Sequence, residues 1–397
     1  MARQFRRGGD GAGQTGRGLY PKAGGLPAAW GGVSDRECEP GHAPASARHA
    51  DRESDAEVRA GCQGPAVRRA GVLTGTCRSA DGSALSPTGG RQRSRRRRCA
   101  MKLLITGATG FIGSRLVRRL MSDHELFCLT QHGGALPHHA HVHAIVQNLA
   151  GPIDPSGLPA SVDAIIHLAQ SRQFRRFPEQ AGDVFTVNTA STAQLLEYGR
   201  QAKIRSFLFA SSGGVCGYLP RPIVETDPPQ PNNFYLACKY AAECLVNAYG
   251  DYFATVTLRY FFVYGEGQRD MFMPGLVERV LKGDPVIVFG KTGVTMNPIH
   301  VSDAVEATIR AMELGHQETI NVAGAETTTV LELAELIGQV TGKKPVYSYQ
   351  PDKGAMAMVG NIEKMKLKLG VSPRISIKAG LDRLVNDLLG KGKEKTS

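Results

Sequence analysis

One glycine-rich stretch restricts what this chain can fold into more than any other: Thr106-Gly107-Ala108-Thr109-Gly110-Phe111-Ile112-Gly113. The apolar run Leu103-Leu104-Ile105 precedes it, and the helical pattern Ser114-Arg115-Leu116-Val117-Arg118-Arg119-Leu120 follows. Strand, glycine turn and helix in that order form the context in which such a motif binds a dinucleotide. The glycines let the backbone turn tightly and approach a pyrophosphate, which rests on the helix N-terminus where free N–H groups and the dipole favour anions. By itself the Gly-x-x-Gly-x-x-Gly spacing also suits an ordinary strand-to-helix turn. Its weight rises with Tyr235-Leu236-Ala237-Cys238-Lys239 far downstream, preceded by Ser211-Ser212.

From residue 101 onward, strand and helix patterns alternate. Short β-prone or apolar runs lie at 102–106, 126–130, 142–146, 164–168, 206–210 and 255–258, and helical patterns lie between most of them, notably at 186–201 and 235–249. That rhythm predicts an α/β fold, a doubly wound parallel sheet of Rossmann type covered on both faces. After about residue 260 the rhythm loosens into turn clusters, followed by helical stretches at 301–313 and 330–341. The expected division is a dinucleotide-binding domain over 101–260 and a smaller, mainly substrate-binding C-terminal region over 261–390.

The first hundred residues differ in kind. They carry a net charge of +9 and the remainder +3, so the basic character of the chain is mostly a property of this segment. It is rich in Gly, Ala, Arg and Ser, shows no sustained period and ends in Arg95-Arg96-Arg97-Arg98. Such a segment cannot bury enough apolar surface to offset chain entropy. It reads as a disordered basic extension or an over-long gene start, with the natural chain opening near Met101. A transit peptide is disfavoured by Asp51, Glu53, Asp55 and Glu57. The folded part therefore has no nucleic-acid footprint.

None of the eight cysteines forms a Cys-x-x-Cys pair, so no zinc or redox pair is indicated. No apolar run reaches the ~18 residues of a membrane span. A cytoplasmic protein with reduced thiols is the simplest reading. His132, His138, His139, His141 and His143 lie in a Gly/Pro-containing loop and a strand start without supporting carboxylates, and no metal is assigned to them. The chain after Lys391 is charged and reads as frayed.

Tyr235 and Lys239 are four apart in a helical pattern and share one face. A phenol titrates near ~10 in water, and a nearby ammonium favours the phenolate. The pair suits a proton shuttle in hydroxyl–ketone interconversion, with Ser212 orienting the same substrate oxygen.

At these residues the chain resembles the extended short-chain dehydrogenase/reductase family, in its NAD-dependent epimerase/dehydratase branch. The resemblance runs over about 101–385 and includes His167-Leu168-Ala169, Val187-Asn188-Thr189, Phe209-Ala210-Ser211-Ser212-Gly213-Gly214-Val215-Cys216-Gly217, Leu258-Arg259-Tyr260, Val263-Tyr264-Gly265 and Pro298-Ile299-His300. It implies Ser212 (runner-up Ser211), Tyr235 and Lys239 as catalytic residues. It also implies Gly107, Thr109, Gly110, Phe111, Ile112, Asn148, Leu149, Leu168, Ala169 and Lys239 as cofactor-binding. The cofactor is NAD or NADP, the substrate a hydroxyl-bearing sugar, most simply a nucleotide sugar, and the assembly a homodimer.

Departures from the family pattern qualify the reading. The second strand ends in Leu129-Thr130-Gln131-His132, with neither the acid of many NAD enzymes nor the Arg of NADP enzymes. Arg115 and Arg118 are candidates for a 2′-phosphate. Phe262 stands where nucleotide-sugar enzymes usually have Asn, and Met296 where they have an Arg on the diphosphate. Arg259, Arg269 or Lys291 could replace that contact. Gly213-Gly214 replaces the acidic pair of family dehydratases and argues against dehydration. The alternatives are a net NAD(P)-dependent reductase or dehydrogenase of a non-nucleotide substrate, and a non-catalytic dinucleotide-binding protein.

Overall fold

The computed structural model describes residues 100–351 and 357–390. The basic segment 1–99 and the charged tail 391–397, on which expectations were stated above, lie outside the described residues.

The glycine motif follows strand β1 (Lys102–Thr106) and leads into helix α1 (Gly113–Leu120). Strands β2 (Glu125–Thr130), β3 (Val142–Val146), β4 (Ala164–His167), β5 (Ser206–Ser212) and β6 (Ala254–Tyr260) follow. Helices α2 (Ala181–Phe185) and α3 (Ser191–Gln201) lie between β4 and β5, and α4 (Phe234–Ala248) lies between β5 and β6. Beyond β6 come α5 (Phe272–Lys282), the short strands β7 (Val286–Phe289) and β8 (Thr295–Met296), α6 (Val301–Ala311) and β9 (Glu318–Val322). The main sheet is wholly parallel, in the order β3-β2-β1-β4-β5-β6-β9. Neighbour order reverses at β1, and a doubly wound sheet binds ligands outside the carboxyl ends of its strands at such a switch point.

Side-chain alternation along the strands builds two apolar layers. Leu103 and Ile105 of β1 face one, with Leu116, Val117 and Leu120 of α1 and Val301, Ala304 and Val305 of α6. Leu104 faces the other, with Leu195 and Leu196 of α3 and Ala242 and Val246 of α4. A third apolar cluster draws on residues after 260: Leu276, Val277 and Val280 of α5 pack with helices α7 (Val330–Thr341) and, after α8 (Glu363–Leu369), α9 (Ile377–Leu388). Helix α7 begins at a capping box: Thr329 accepts from the Glu332 amide, and Glu332 accepts from the Thr329 amide.

Three local features depart from the sequence pattern. β5 runs two residues past its apolar run, because Ser211 and Ser212 stay paired with Arg259 and Tyr260 of β6. The helix expected over 186–201 is interrupted at its start by one π-helical turn, Thr186–Ala190. Residues beyond 260 also return to the main sheet as α6 and β9, so the sheet is completed by the C-terminal half of the chain.

Candidate active site

The turn after β1 has no room for larger side chains. Gly107 holds φ +68°, and a Cβ there would lie 2.7 Å from the Ala169 amide nitrogen. A Cβ on Gly113 would lie 2.1 Å from the Gly107 carbonyl oxygen. The Gly110 amide donates to that same oxygen at 2.9 Å. Helix α1 starts at Ile112 with no side-chain cap and no acid in its first turn. No capping side chain or carboxylate therefore competes with an anion for its N-terminus, where the dipole favours negative charge, although the Ser114 amide is already bonded to the Gly110 carbonyl at 2.9 Å. Thr109, Phe111 and Ile112 are partly buried around the turn and Gly110 is exposed. The cradle fits the diphosphate of a dinucleotide: backbone lines it, and any Cβ would fill it.

The end of β4 is tied to this turn. The Leu168 amide donates to the Thr106 carbonyl at 3.2 Å and the Ala169 amide to the Thr106 hydroxyl at 3.2 Å. His167 lies fully buried, 2.6 Å from Thr106 Oγ1 through Nδ1 and 3.0 Å from Thr192 Oγ1 through Nε2. Burial, with a smaller push from Lys239, lowers this imidazole to about 3. It is thus neutral and serves as a pin between β1, β4 and α3. Asn148 is exposed after β3, its side chain accepting from the Ala150 amide. Leu149 beside it is buried in the layer under α3.

Helix α4 is started by Asn233, whose side chain accepts from the Leu236 amide at 2.9 Å. This sets Tyr235 in the first turn and Lys239 one turn on. Lys239 is buried; its Nζ donates to the Ala210 carbonyl of β5 at 2.8 Å and lies 5.0 Å from the Phe209 ring centroid. Burial lowers this ammonium to about 8. An ammonium has three donors, and two of these have no partner among the described residues. Ser212 closes β5, its hydroxyl accepting from the Gly214 amide at 3.2 Å. A Cβ on Gly214 would touch both Leu236 of α4 and the Ser212 hydroxyl, so the end of β5, which carries Ser212, abuts the first turn of α4, which carries Tyr235 and leads to Lys239.

Ser211 has another occupation. Its hydroxyl donates to Glu243 on the buried side of the strand. Glu243 also receives Arg259 through Nε at 3.1 Å and Nη2 at 2.7 Å, both side chains nearly inaccessible to water. Consecutive strand residues point to opposite faces, which leaves Ser212 as the serine open to a ligand.

The loop after β4 was not foreseen as part of the site. Tyr235 donates its hydroxyl proton to Gln170 Oε1 at 3.1 Å, and its ring centroid lies 5.2 Å from that of Phe174. Arg175 stacks on Phe174 at 5.0 Å and donates to the Asp270 carbonyl at 2.9 Å, clasping this loop to the segment before α5. Asn188, in the π-helical turn, holds the loop's start by accepting from the Ser171 amide at 3.1 Å; its buried side-chain nitrogen has no hydrogen-bond partner among the described residues. Residues 170–176 have neither helix nor strand period, so only the adjacent Leu168-Ala169 landmark pointed toward them.

Two sequence expectations change here. Lys239 was expected to depress the Tyr235 phenol; instead burial raises it, and the ammonium is engaged by the Ala210 carbonyl of β5. The cations considered for phosphate are largely committed. Arg115 donates to the carbonyls of Phe111 and Glu266, Arg259 is paired with Glu243, and Arg269 bonds Asp387 at 2.7 Å. Lys291 is exposed. Met296 is buried in the C-terminal cluster. Phe262 is held at φ +43°, a conformation that strains a bulky side chain, with its ring centroid 6.1 Å from that of Phe272.

The profile of the NAD dependent epimerase/dehydratase family matches residues 103–323. The uncharacterized UDP-glucose epimerase YtcB of Bacillus subtilis is 31% identical over 308 residues, covering 71% of this chain and 96% of that protein. The UDP-glucose 4-epimerase of Mycolicibacterium smegmatis is 29% identical, covering 72% and 97%. Among solved structures, MoeE5 in complex with UDP-glucose and NAD superposes with a TM-score of 0.66 at 27% identity, covering 73% of this chain and 99% of that one. The UDP-glucuronic acid 4-epimerase from Bacillus cereus, in complex with NAD, gives 0.65 at 27% identity, covering 74% and 100%.

Proposed function

The chain belongs to the NAD dependent epimerase/dehydratase family, and from that premise we propose that it inverts a hydroxyl-bearing carbon of a nucleotide-activated sugar. The observation that carries the reading is the hydrogen bond from Lys239 of α4 to the Ala210 carbonyl near the end of β5, with Tyr235 one turn earlier on that helix and the glycine turn at the same, carboxyl end of the parallel sheet. Gly107, Thr109, Gly110, Phe111 and Ile112 would hold the diphosphate of the dinucleotide. Leu168 and Ala169 would flank it, Lys239 would bind its ribose hydroxyls, and Asn148 and Leu149 would lie toward the adenine. When bound, NAD supplies the hydride acceptor and donor, and the positive charge of its oxidised ring favours a nearby phenolate.

The chain's own groups manage the proton and the geometry. Tyr235 takes the substrate hydroxyl proton at Oη as that carbon is oxidised, and returns it when the ketone is reduced from the opposite face. Ser212 donates to the same oxygen. Gln170 positions the phenol until substrate arrives. Because the two half-reactions cancel, no dinucleotide is consumed. Ser212→Ala is expected to slow turnover by about 10²–10³-fold, the usual cost of removing one such donor. Ser211→Ala should instead lower stability by about 1–3 kcal/mol, since it strips a partner from buried Glu243. Steady-state rates and denaturant melts of the two variants check this pair.

The region after 261 is the proposed substrate side. We also propose a homodimer through α4, whose exposed Ala237, Ala241, Cys244 and Ala248 recur at helical spacing. A cytoplasmic setting suits the unpaired thiols of Cys128, Cys216, Cys238 and Cys244. A net reductase of a non-nucleotide substrate is the second reading, favoured by buried Met296 and by the commitment of Arg259 and Arg269 to carboxylates. Denaturing the purified protein and identifying released nucleotide separates them. Near-stoichiometric bound dinucleotide is expected for an epimerase, and an empty protein would favour the reductase.

A further inference from the structure

We propose that this chain does not select between NAD and NADP by charge at the adenosine ribose and binds both with comparable affinity. The inference rests on the dinucleotide reading above and adds the specificity of that site. In a doubly wound sheet the adenosine ribose meets the carboxyl end of the strand beside β1, about 20 residues past the glycine turn. That strand is β2, with Leu129 in register beside Thr106. The chain leaves it through Thr130, Gln131 and His132.

A carboxylate at this place accepts from the ribose hydroxyls and repels a 2′-phosphate. Residues 126–137 contain no Asp or Glu. Thr130 is buried, and its hydroxyl has no hydrogen-bond partner among the described residues. Gln131 and His132 are exposed beside it. A dedicated guanidinium for a 2′-phosphate is missing as well: Arg115 is engaged by the Phe111 and Glu266 carbonyls. Arg118 lies in the last turn of α1, at the end away from the glycine turn. The ribose end is thus built from a hydroxyl, an amide and an imidazole. Such groups hydrogen-bond a hydroxyl and a phosphate alike, and none carries a fixed charge that would favour one over the other.

The test is calorimetric titration of the full chain, freed of co-purified nucleotide, with NAD and with NADP. Dissociation constants within tenfold of each other are expected; a ratio beyond tenfold in either direction overturns the proposal. If neither dinucleotide binds, the dinucleotide reading itself falls, and the proposal with it. Thr130→Asp is expected to weaken NADP relative to NAD by about 30-fold, the repulsion of one carboxylate on a doubly charged phosphate a few ångströms away at water's dielectric constant. Should buried Thr130 not tolerate Asp, Gln131→Asp at the exposed neighbouring position reads the same effect. If every folded variant keeps the original ratio, selection does not reside at 130–132 and the assignment is wrong.

Discussion

Tyr235→Phe is expected to lower turnover by ~10²–10⁴-fold, the range for loss of a general acid–base group, while dinucleotide binding stays nearly unchanged. The substitution removes one oxygen. It keeps the ring that packs on Phe174 and leaves the Asn233 cap that starts α4 intact. Among the described residues, the only side-chain hydrogen bond it deletes is the single one to Gln170, so folding should be little affected. Parallel turnover assays and calorimetric dinucleotide titrations give the answer. Full activity would remove Tyr235 as the proton carrier, and joint loss of activity and binding would point to a structural role.

The largest stability effect is expected from Glu243→Ala. The carboxylate receives Arg259 in two hydrogen bonds and the Ser211 hydroxyl in a third, in an interior nearly sealed from water. Removing one partner of a buried pair leaves the other charge uncompensated, at a cost of about 3–5 kcal/mol. Replacing both, as in the double variant Glu243→Leu with Arg259→Met, should recover most of that loss, because desolvating the ions offsets much of their attraction. Urea denaturation of the two single variants and the double variant measures the coupling. A loss below about 1 kcal/mol for Glu243→Ala would show that water reaches the pair. Since Glu243 engages the serine next to Ser212, the pair also anchors the strand end on which the proposed site is built.

Much of the sheet could be read in the sequence, because parallel strands covered on both faces are short apolar runs between turn signals. Leu103 to Ile105 and Ala164 to Ile166 are of that kind, and all are inaccessible to solvent. The glycine turn was legible for a steric reason: Gly107 and Gly113 stand where a Cβ would collide with backbone. Strand β9 was missed. Its five residues include Glu318, Thr319 and Asn321, and only docking beside β6 turns them into a strand. Helix α5 was hidden by Pro274 in its first turn, a position that tolerates proline but reads as a break.

The site divides in the same way. That Tyr235 and Lys239 share one helix was legible because four-residue spacing on a helix is a local property. The resemblance already preferred Ser212 to Ser211; the fold adds a physical reason, because the Ser211 hydroxyl is engaged by Glu243 of α4. Gln170, Phe174 and Arg175 come from a loop without periodicity, and their contacts with Tyr235 and Asp270 span 65 and 95 residues of sequence where hydrogen bonds carry them. The engagement of Arg115, and the raised rather than lowered phenol, are likewise tertiary facts. The first follows from which carbonyls lie within reach of the guanidinium, the second from the burial of the phenol.

The proposed reaction is reversible inversion at a sugar carbon with no net consumption of dinucleotide. The measurement that tests it most directly is proton NMR of the full chain incubated separately with UDP-glucose and with UDP-glucuronic acid, without added cofactor. At least one of them should convert to a mixture with its epimer, and the same mixture should be reached starting from that epimer. Failure to interconvert either, in protein that holds a stoichiometric dinucleotide, would contradict it, as would conversion that proceeds only with equimolar consumption of added NAD or NADPH.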